Sequence, residues 1–275
     1  MADGERRALL QRFLPDRRER AFVWKYDQAV GGRRPRHFHE EPEVNLVTCG
    51  AATFGVGDRI VEVKAGELLA FPAGVDHALL AASPDLYLYA VGLDPTFSTG
   101  VLTDRHDTIE PWHARLPPKE LRAVVDRAAE LVDRSGAERL GAELWERVHW
   151  LARRSTEAER PGAHVLTRRT LKLVATQPDC GLEALASELR THPSEVSRHF
   201  HRDVGVTLVR YRTRLRLLRL VHLVDDGQDV MTAAIEAGFG SYSQCHRSFH
   251  AELGCAPTSF FRSEARERMQ LLYAG

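Results

Sequence analysis

The sequence lacks the features of a membrane or secreted protein. No run of about 18 apolar residues is present, so we expect no membrane-spanning helix. Met1–Arg20 is charged throughout, without the apolar segment of a signal peptide. The cysteines form no C-x-x-C pair, which favours free thiols in a reducing compartment. They are Cys49, Cys180, Cys245 and Cys255. These absences predict a cytoplasmic protein with no membrane partner.

The chain also has no formal net charge and few lysines. The 38 basic residues balance the 38 acidic ones, and only four of the basic residues are lysine. Residues 162–275 nevertheless hold 15 Lys and Arg against 12 Asp and Glu. This modest basic excess is compatible with nucleic-acid binding but does not establish it. A length of 275 residues leaves room for two domains.

The hydrophobic pattern changes from strand to helix along the chain. Between residues 20 and about 95, segments such as Val44–Thr48, Leu68–Phe71 and Leu86–Val91 alternate with Gly, Pro and Asp turns, which predicts an all-β barrel or sandwich. From Pro117, apolar residues recur at helical spacing. They are Leu121, Val124, Val125, Ala128, Leu131 and Val132, then Leu140, Leu144, Trp145, Val148 and Leu151. A third helical region is predicted over Val165–Thr176.

Two segments near the end of the chain have the pattern of a helix-turn-helix unit. The first unit joins Leu182–Arg190 to Ser194–His201, and the second joins Val230–Phe239 to Ser241–His250. In each, a short helix with an apolar stripe precedes a turn and a second helix whose free face carries Arg, His and Ser. This arrangement suits insertion of the second helix into a DNA major groove.

The second helix of each unit has a recognisable start and an outward face. Thr191 or His192 is placed to start the first of these helices, with Pro193 in its first turn, and Ser241 is a good N-cap for the other. Outward Arg, Ser and His side chains can contact base edges or phosphates, although any one of them could instead be a solvated residue. The candidate DNA-contacting residues are Ser194, Ser197, Arg198, His201, Tyr242, Ser243, His246, Arg247 and His250.

These units resemble the AraC/XylS family of bacterial transcription regulators. The matching elements are Leu185-Ala186, Ser197-Arg198-x-Phe200, Gly205, Tyr211, Arg214-Leu215, Gly238-Phe239, Arg247-x-Phe249, Gly254 and Pro257. The sequence departs from the family at His192, at Cys245 and at Phe261-Arg262. The resemblance implies that one chain places two recognition helices in successive major grooves, about 34 Å apart, on an asymmetric site.

The helix predicted over Thr207–Val224 joins the two units and carries two apolar stripes at 100° per residue. One stripe contains Leu208, Tyr211, Leu215 and Leu218, and the other contains Val209, Leu217, Leu220 and Val224. Arg212, Arg216 and Arg219 lie between the stripes on one side, and Arg210 and Arg214 lie on the other. An ordinary surface helix has one stripe, so we expect this helix to pack between two bodies.

A second motif lies in the strand-rich part. It contains Gly31-x5-His37-x-His39-x3-Glu43-x6-Gly50, then Gly66-x5-Pro72-x-Gly74-x2-His77. This pattern resembles both conserved motifs of the cupins, except that Ala81 stands where the second motif usually has Asn. The resemblance implies a β-barrel whose interior binds a ligand.

The same motif supplies candidate metal ligands. His37 and His39 alternate on one strand and therefore share a face, Glu43 keeps their parity, and His77 comes from a neighbouring strand. Three imidazoles and a carboxylate can hold Zn, Fe, Mn or Ni. We favour a pocket for an organic effector over a metal site, and Glu43 could also form a polar pair with a histidine. The candidate pocket residues are His37, His39, Glu43, His77, Tyr87 and Tyr89.

Together these patterns predict an α+β chain with three parts. Residues 1–110 are predicted to form the cupin-like sensing barrel, 111–157 a helical dimerisation or linker region, and 158–275 the DNA-binding domain. The leading hypothesis is a ligand-responsive transcription regulator and not an enzyme. Its expected partners are promoter DNA, a small-molecule effector, a second copy of the chain and, for an activator, RNA polymerase. The alternatives are a metal-dependent cupin enzyme fused to a DNA-binding module, and a constitutive DNA binder whose barrel only dimerises.

Overall fold

A computed structural model describes residues 8–13, 19–28, 35–94, 112–132, 165–177 and 179–262. Within these ranges, none of the helices has the length and apolar character needed to cross a bilayer. The strands come first along the chain and the helices follow. The α+β architecture is therefore the one that the sequence pattern predicts.

Ten strands form two five-stranded sheets in this part of the chain. The first sheet contains, in spatial order, β1 (Leu9–Leu10), β3 (His37–Phe38), β8 (His77–Ala82), β5 (Ala51–Val56) and β6 (Arg59–Lys64). The second contains β10 (Trp112–Arg115), β7 (Glu67–Phe71), β4 (Glu43–Cys49), β9 (Tyr87–Leu93) and β2 (Ala21–Asp27). Apart from the parallel pair β1 and β3, the paired strands run antiparallel.

The β domain extends past the predicted boundary at residue 110. β10 pairs with β7 and closes one edge of the second sheet. Helix α1 (Pro118–Leu131) then packs Val124, Ala128 and Leu131 into the same core as Leu46 of β4. The apolar stripe that was predicted for a dimerisation or linker helix is thus buried against the barrel's own sheet. The second predicted helix, from Leu140 to Leu151, lies outside the described residues.

The C-terminal part repeats one helix-turn-helix plan twice. Helix α2 (Val165–Thr176) precedes the repeats and α8 (Pro257–Arg262) follows them. The first repeat contains α3 (Leu182–Glu188) and α4 (Pro193–Val204), and the second contains α6 (Val230–Glu236) and α7 (Tyr242–Leu253). The first helix has 7 residues and the second has 12 in both repeats. Because the helix lengths are equal, each position in one recognition helix has a counterpart at the same position in the other.

The turns and caps explain where these helices begin and end. His192 is the N-cap of α4 and accepts a hydrogen bond from the Ser194 amide, while Ser241 caps α7 through the Gln244 amide. Both helices end at a glycine in the left-handed region, Gly205 at φ 82° and Gly254 at φ 77°. A C-terminal glycine satisfies the last carbonyls without steric cost. The predicted caps are confirmed, with His192 rather than Thr191 at the first.

Helix α5 (Leu208–Asp225) connects the two repeats and contacts two cores. Its first half packs Leu208 and Tyr211 into a core shared by the barrel and the first repeat, and Leu217 lies in the core of the second repeat. The two cores contact successive halves of the helix, whereas the two stripes predicted contacts on two different sides of it. Val209, assigned to an apolar stripe, is 72% exposed. The expectation of a helix between two bodies is nevertheless confirmed.

Candidate ligand site and nucleic-acid interface

Three histidines meet inside the barrel. β3 begins at His37 and β8 begins at His77, and the two residues are direct partners across these strands. The His37 and His77 ring centroids lie 4.3 Å apart, and those of His39 and His77 lie 5.0 Å apart. One ring nitrogen from each of the three lies within 4.8 Å of the others. All three side chains are buried, so the cluster is shielded from bulk water.

Each of these rings is oriented by its own backbone. Nδ1 of His37 lies 2.9 Å from the Pro35 carbonyl, Nδ1 of His39 lies 2.7 Å from that of Glu41, and Nδ1 of His77 lies 3.0 Å from that of Val75. A carbonyl can only accept, so Nδ1 carries the proton in each ring. The Nε2 atoms are left for other partners, and those of His39 and His77 lie near the Glu43 carboxylate. A backbone acceptor on the far nitrogen is the usual second partner of a metal-binding histidine.

Glu43 completes the cluster at the start of β4. Its Oε2 lies 2.8 Å from His39 Nε2 and 3.3 Å from His77 Nε2, while Oε1 accepts a 2.7 Å hydrogen bond from Asn45. Burial alone would raise the pKa of Glu43, but the charge of His77 and the hydrogen bond from His39 hold it well below its ordinary value. The hydrogen bond and charge of Glu43 likewise outweigh burial and raise the pKa of His39. Without a metal, the geometry is that of a His39–Glu43 ion pair.

The third histidine stays neutral. Burial, together with the neighbouring His77 and His39, lowers the pKa of His37 well below its ordinary value. A neutral imidazole with its proton on Nδ1 offers a lone pair at Nε2. The three histidines, with the Glu43 carboxylate beside two of them, therefore form a donor set suited to a divalent transition metal.

A cavity of about 70 Å³ adjoins the cluster. Its lining includes His37, His77 and Glu43 together with Phe13, Trp24, Lys25, Tyr26, Asn45, Phe54, Leu79, Leu88 and Ala90. Pockets for drug-sized organic molecules occupy about 300–1,000 Å³, whereas one water in the liquid takes about 30 Å³. In this conformation the cavity can hold an ion with a water or a very small ligand.

Two of the predicted lining residues face the other way. Tyr89 lies in the core beneath α1, and Tyr87 packs against that core, whereas the intervening Leu88 and the following Ala90 line the cavity. Alternation along β9 places Tyr87 and Tyr89 on one face and Leu88 and Ala90 on the opposite one. Sequence reasoning missed Asn45, although its spacing from Glu43 on β4 puts both on the same face.

The loop that ends at Asp76, directly before His77, also binds the connecting helix α5. Asp76 accepts a hydrogen bond from Arg36 at 2.6 Å and forms an ion pair with Arg214, whose side chain is fully buried. Although burial opposes it, the guanidinium of Arg214, with that of Arg36, holds the pKa of the Asp76 carboxyl below its usual value. Arg214 Nε also donates to Glu252 of α7 at 2.9 Å. One guanidinium thus joins the ligand-site loop to the second recognition helix.

A second contact joins the barrel to the first recognition helix. The turn between β5 and β6 donates from the Asp58 amide to the Gly205 carbonyl at 2.7 Å, and Arg59 donates to the Asp203 carbonyl at 2.6 Å. The backbones approach so closely that a Cβ on Gly205 would lie 2.6 Å from the Val56 carbonyl oxygen. Asp58 also lies 3.2 Å from Nε2 of His201, one of the predicted DNA-contacting residues.

The predicted DNA-contacting side chains lie on the outer faces of α4 and α7. Val196 and Phe200 point into the core of the first repeat, as Cys245 and Phe249 do in the second. All nine candidates are at least partly exposed. Matching positions of the repeats pair Arg198 with Arg247, His201 with His250 and Ser194 with Ser243. The two recognition helices therefore carry similar polar residues at matching positions.

Two known protein families each match one segment of the chain. A cupin-domain family matches residues 24–90, and a helix-turn-helix-domain family matches residues 185–263. No curated protein matches the sequence.

Several solved structures resemble the fold at low sequence identity. ToxT from Vibrio cholerae is 12% identical, with a TM-score of 0.45 over 87% of this chain and 96% of that chain. The AraC-like transcriptional activator CuxR is 12% identical, with a TM-score of 0.32 over 79% of this chain and 78% of that chain. The C-terminal domain of AraT, a response regulator from Geobacillus stearothermophilus, is 19% identical, with a TM-score of 0.35 over 36% of this chain and 86% of that domain.

Proposed function

Because this chain joins an AraC-type helix-turn-helix DNA-binding domain to an N-terminal cupin domain, we propose that it is a transcription regulator whose barrel senses a divalent transition metal. The observation that carries the sensing role is the convergence of three backbone-oriented histidines on one buried point. The small cavity beside them favours an ion over an organic effector. His37, His39, His77 and Glu43 are the residues that would hold the metal.

A bound metal would act on the loop that directly precedes His77. In the structure, Glu43 accepts from His39, and a metal would compete for the same carboxylate and the same Nε2 atoms. His77 directly follows Asp76, which is bonded to Arg214 of α5. A shift of that loop therefore acts on the helix between the two recognition helices. Such coupling requires that metal and DNA each favour one of two domain arrangements.

DNA binding is assigned to the paired faces of α4 and α7. The operator is expected to be asymmetric, with two contacted segments one helical turn apart. Homodimer formation and a contact with RNA polymerase stay predictions from the family resemblance. An enzymatic activity at the histidine cluster is the competing hypothesis, and turnover of a small substrate by the metal-loaded protein would support it.

We expect Arg198→Ala and Arg247→Ala each to weaken operator binding by roughly 1–3 kcal/mol, because each removes a guanidinium that can bond a guanine edge bidentately. Arg198 must first leave Glu195, whose Oε2 is 2.5 Å away. The operator would be selected by the wild-type protein from a random duplex pool, and affinities measured by fluorescence anisotropy. Arg122→Ala, on the exposed face of α1, controls for the loss of one charge. Unchanged affinity in both variants would contradict the assignment.

A further inference from the structure

The arginines of α5 divide into two sets with different surroundings. Arg210 and Arg214 both bond to Glu252, and Arg214 also bonds to the barrel through Asp76. Arg212, Arg216 and Arg219, here called the basic stripe, follow one another at i, i+4 and i+7 and therefore share the opposite side of the helix. The stripe thus faces away from the barrel contact at Asp76, and neither DNA recognition helix contains it.

One end of the basic stripe adjoins the first recognition helix. Arg212 lines a groove of about 680 Å³ together with Ser194, Ser197 and Arg198, three of the predicted DNA-contacting residues of α4. The exposed Val209 lies in the same groove. Guanidinium groups beside an apolar floor are suited to a phosphate–deoxyribose backbone, since the phosphate takes the charge and the sugar takes the apolar contact.

The middle of the stripe adjoins the second helix-turn-helix unit. Arg216 Nε lies 3.3 Å from the position that a Cβ on Gly238 would take, and Gly238 begins the turn that leads to α7. Asp179 is 3.6 Å from Arg216 Nη2, a long ion pair with a carboxylate that is 70% exposed. Arg216 Nε is buried and has no hydrogen-bond partner among the residues that the structure describes. The charge of this guanidinium is therefore only weakly compensated.

Like charges are crowded along the stripe. Burial and the neighbouring Arg216 lower the pKa of the Arg212 guanidinium from its ordinary value. Two cations one helical turn apart repel each other; Asp179 offsets part of that repulsion, and a phosphate beside both guanidinium groups would offset more.

We propose that the basic stripe of Arg212, Arg216 and Arg219 binds the DNA phosphate backbone between the two major grooves that α4 and α7 enter. This inference rests on the proposed DNA-binding function. Two recognition helices in successive major grooves leave the intervening minor groove and its backbones opposite the helix that joins them. The stripe is on that helix and reaches from the groove beside α4 to the turn before α7. It supplies affinity without sequence preference, because phosphates carry no base information.

The test uses the full-length protein, its selected operator duplex and a scrambled duplex of the same length. Affinity would be measured between about 50 and 300 mM KCl for wild type, Arg212→Ala, Arg216→Ala and the double variant. Each lost phosphate contact should reduce the slope of log K against log salt by about 0.9 and weaken binding roughly tenfold at 0.1 M salt. The losses should be equal on both duplexes, so the specificity ratio should not change.

Matched variants separate the stripe from general effects. Arg212→Lys and Arg216→Lys should keep most of the slope, and Arg122→Ala should match wild type on both duplexes. Thermal melts verify that each variant is folded. If wild type binds and the folded double variant keeps its slope, the phosphate contact is refuted while the DNA-binding function stands. If wild type shows no salt-dependent affinity for any duplex, the proposed function itself fails. A loss confined to the operator would instead assign base contacts to these arginines and overturn the inference.

Discussion

Arg214→Ala is expected to lower the free energy of unfolding by about 3 kcal/mol, near the lower end of the range for breaking a buried ion pair. Arg214 is fully buried between Asp76 and Glu252, and its guanidinium lies 4.9 Å from the centre of the Phe38 ring. Its removal leaves two buried carboxylates and a cavity. The loss of unfolding free energy should stay near the lower end of that range because Arg36 still bonds Asp76 and Arg210 still bonds Glu252. Urea unfolding of the full-length chain measures the change.

The control for this prediction is Arg210→Ala, which removes a 35% exposed partner of the same glutamate. It should cost at most about 1 kcal/mol, as exposed ion pairs do. A double-mutant cycle with Asp76→Ala isolates the pair across the domain boundary. If Arg214→Ala unfolds within about 1 kcal/mol of wild type, a value typical of exposed pairs, then the bridge does not hold the two domains together. Altered metal-dependent DNA binding in a folded Arg214→Lys variant would add support for the proposed coupling.

His39→Ala and His77→Ala are each expected to abolish metal binding, lowering affinity by at least about 100-fold, since even outer-shell changes cost 10–100-fold. Wild-type protein from metal-replete medium should carry about one divalent ion per chain, consistent with one three-histidine site in the described part. At 1,000 times the dissociation constant, Zn²⁺ or Mn²⁺ should stabilise wild type by about 4 kcal/mol. Elemental analysis and thermal melts in each metal provide the measurements.

The matched control is His113→Ala. His113 Nε2 also lies beside a carboxylate, 2.9 Å from Glu67 Oε2, but it is on the surface and belongs to no three-ligand cluster among the residues that the structure describes. The His113→Ala variant should bind metal with the affinity of wild type. Metal-free wild type, with melting temperatures that no added ion changes, would leave the cluster as the His39–Glu43 ion pair and return the sensing role to an organic effector.

The two recognition helices show which features can be predicted from the local sequence. His192 and Ser241 cap the helix starts by accepting backbone hydrogen bonds, and Gly205 and Gly254 cap the helix ends in the left-handed region. The inward positions of Phe200 and Phe249 follow from a period of 3.6 residues. The helix starts and the inward positions depend on neighbours in sequence and were predicted correctly, whereas both helices continue three residues past the predicted ends at His201 and His250.

In the barrel, the local sequence did not predict which residues of β9 face the cavity. The parity of His37, His39 and Glu43 was predictable, but the two faces of β9 were not, because α1 covers the outer face and makes both faces of that strand apolar. A strand buried on both sides loses the alternation that identifies its inward residues. Tyr87 and Tyr89 were therefore placed in the pocket when they belong to the core beneath α1.

The sequence by itself determined the helix-turn-helix repeats, the histidine and glutamate donor set, and the division into a strand-rich and a helical part, since these depend on short-range periodicity and spacing. Only the tertiary structure decided that the ligand-site loop contacts the DNA-binding domain through Asp76 and Arg214, and that Arg212 lies beside the first recognition helix. Asp76 and Arg214 are 138 positions apart in the chain. No local pattern encodes such a pair, because its energy arises only when folding removes both charges from water.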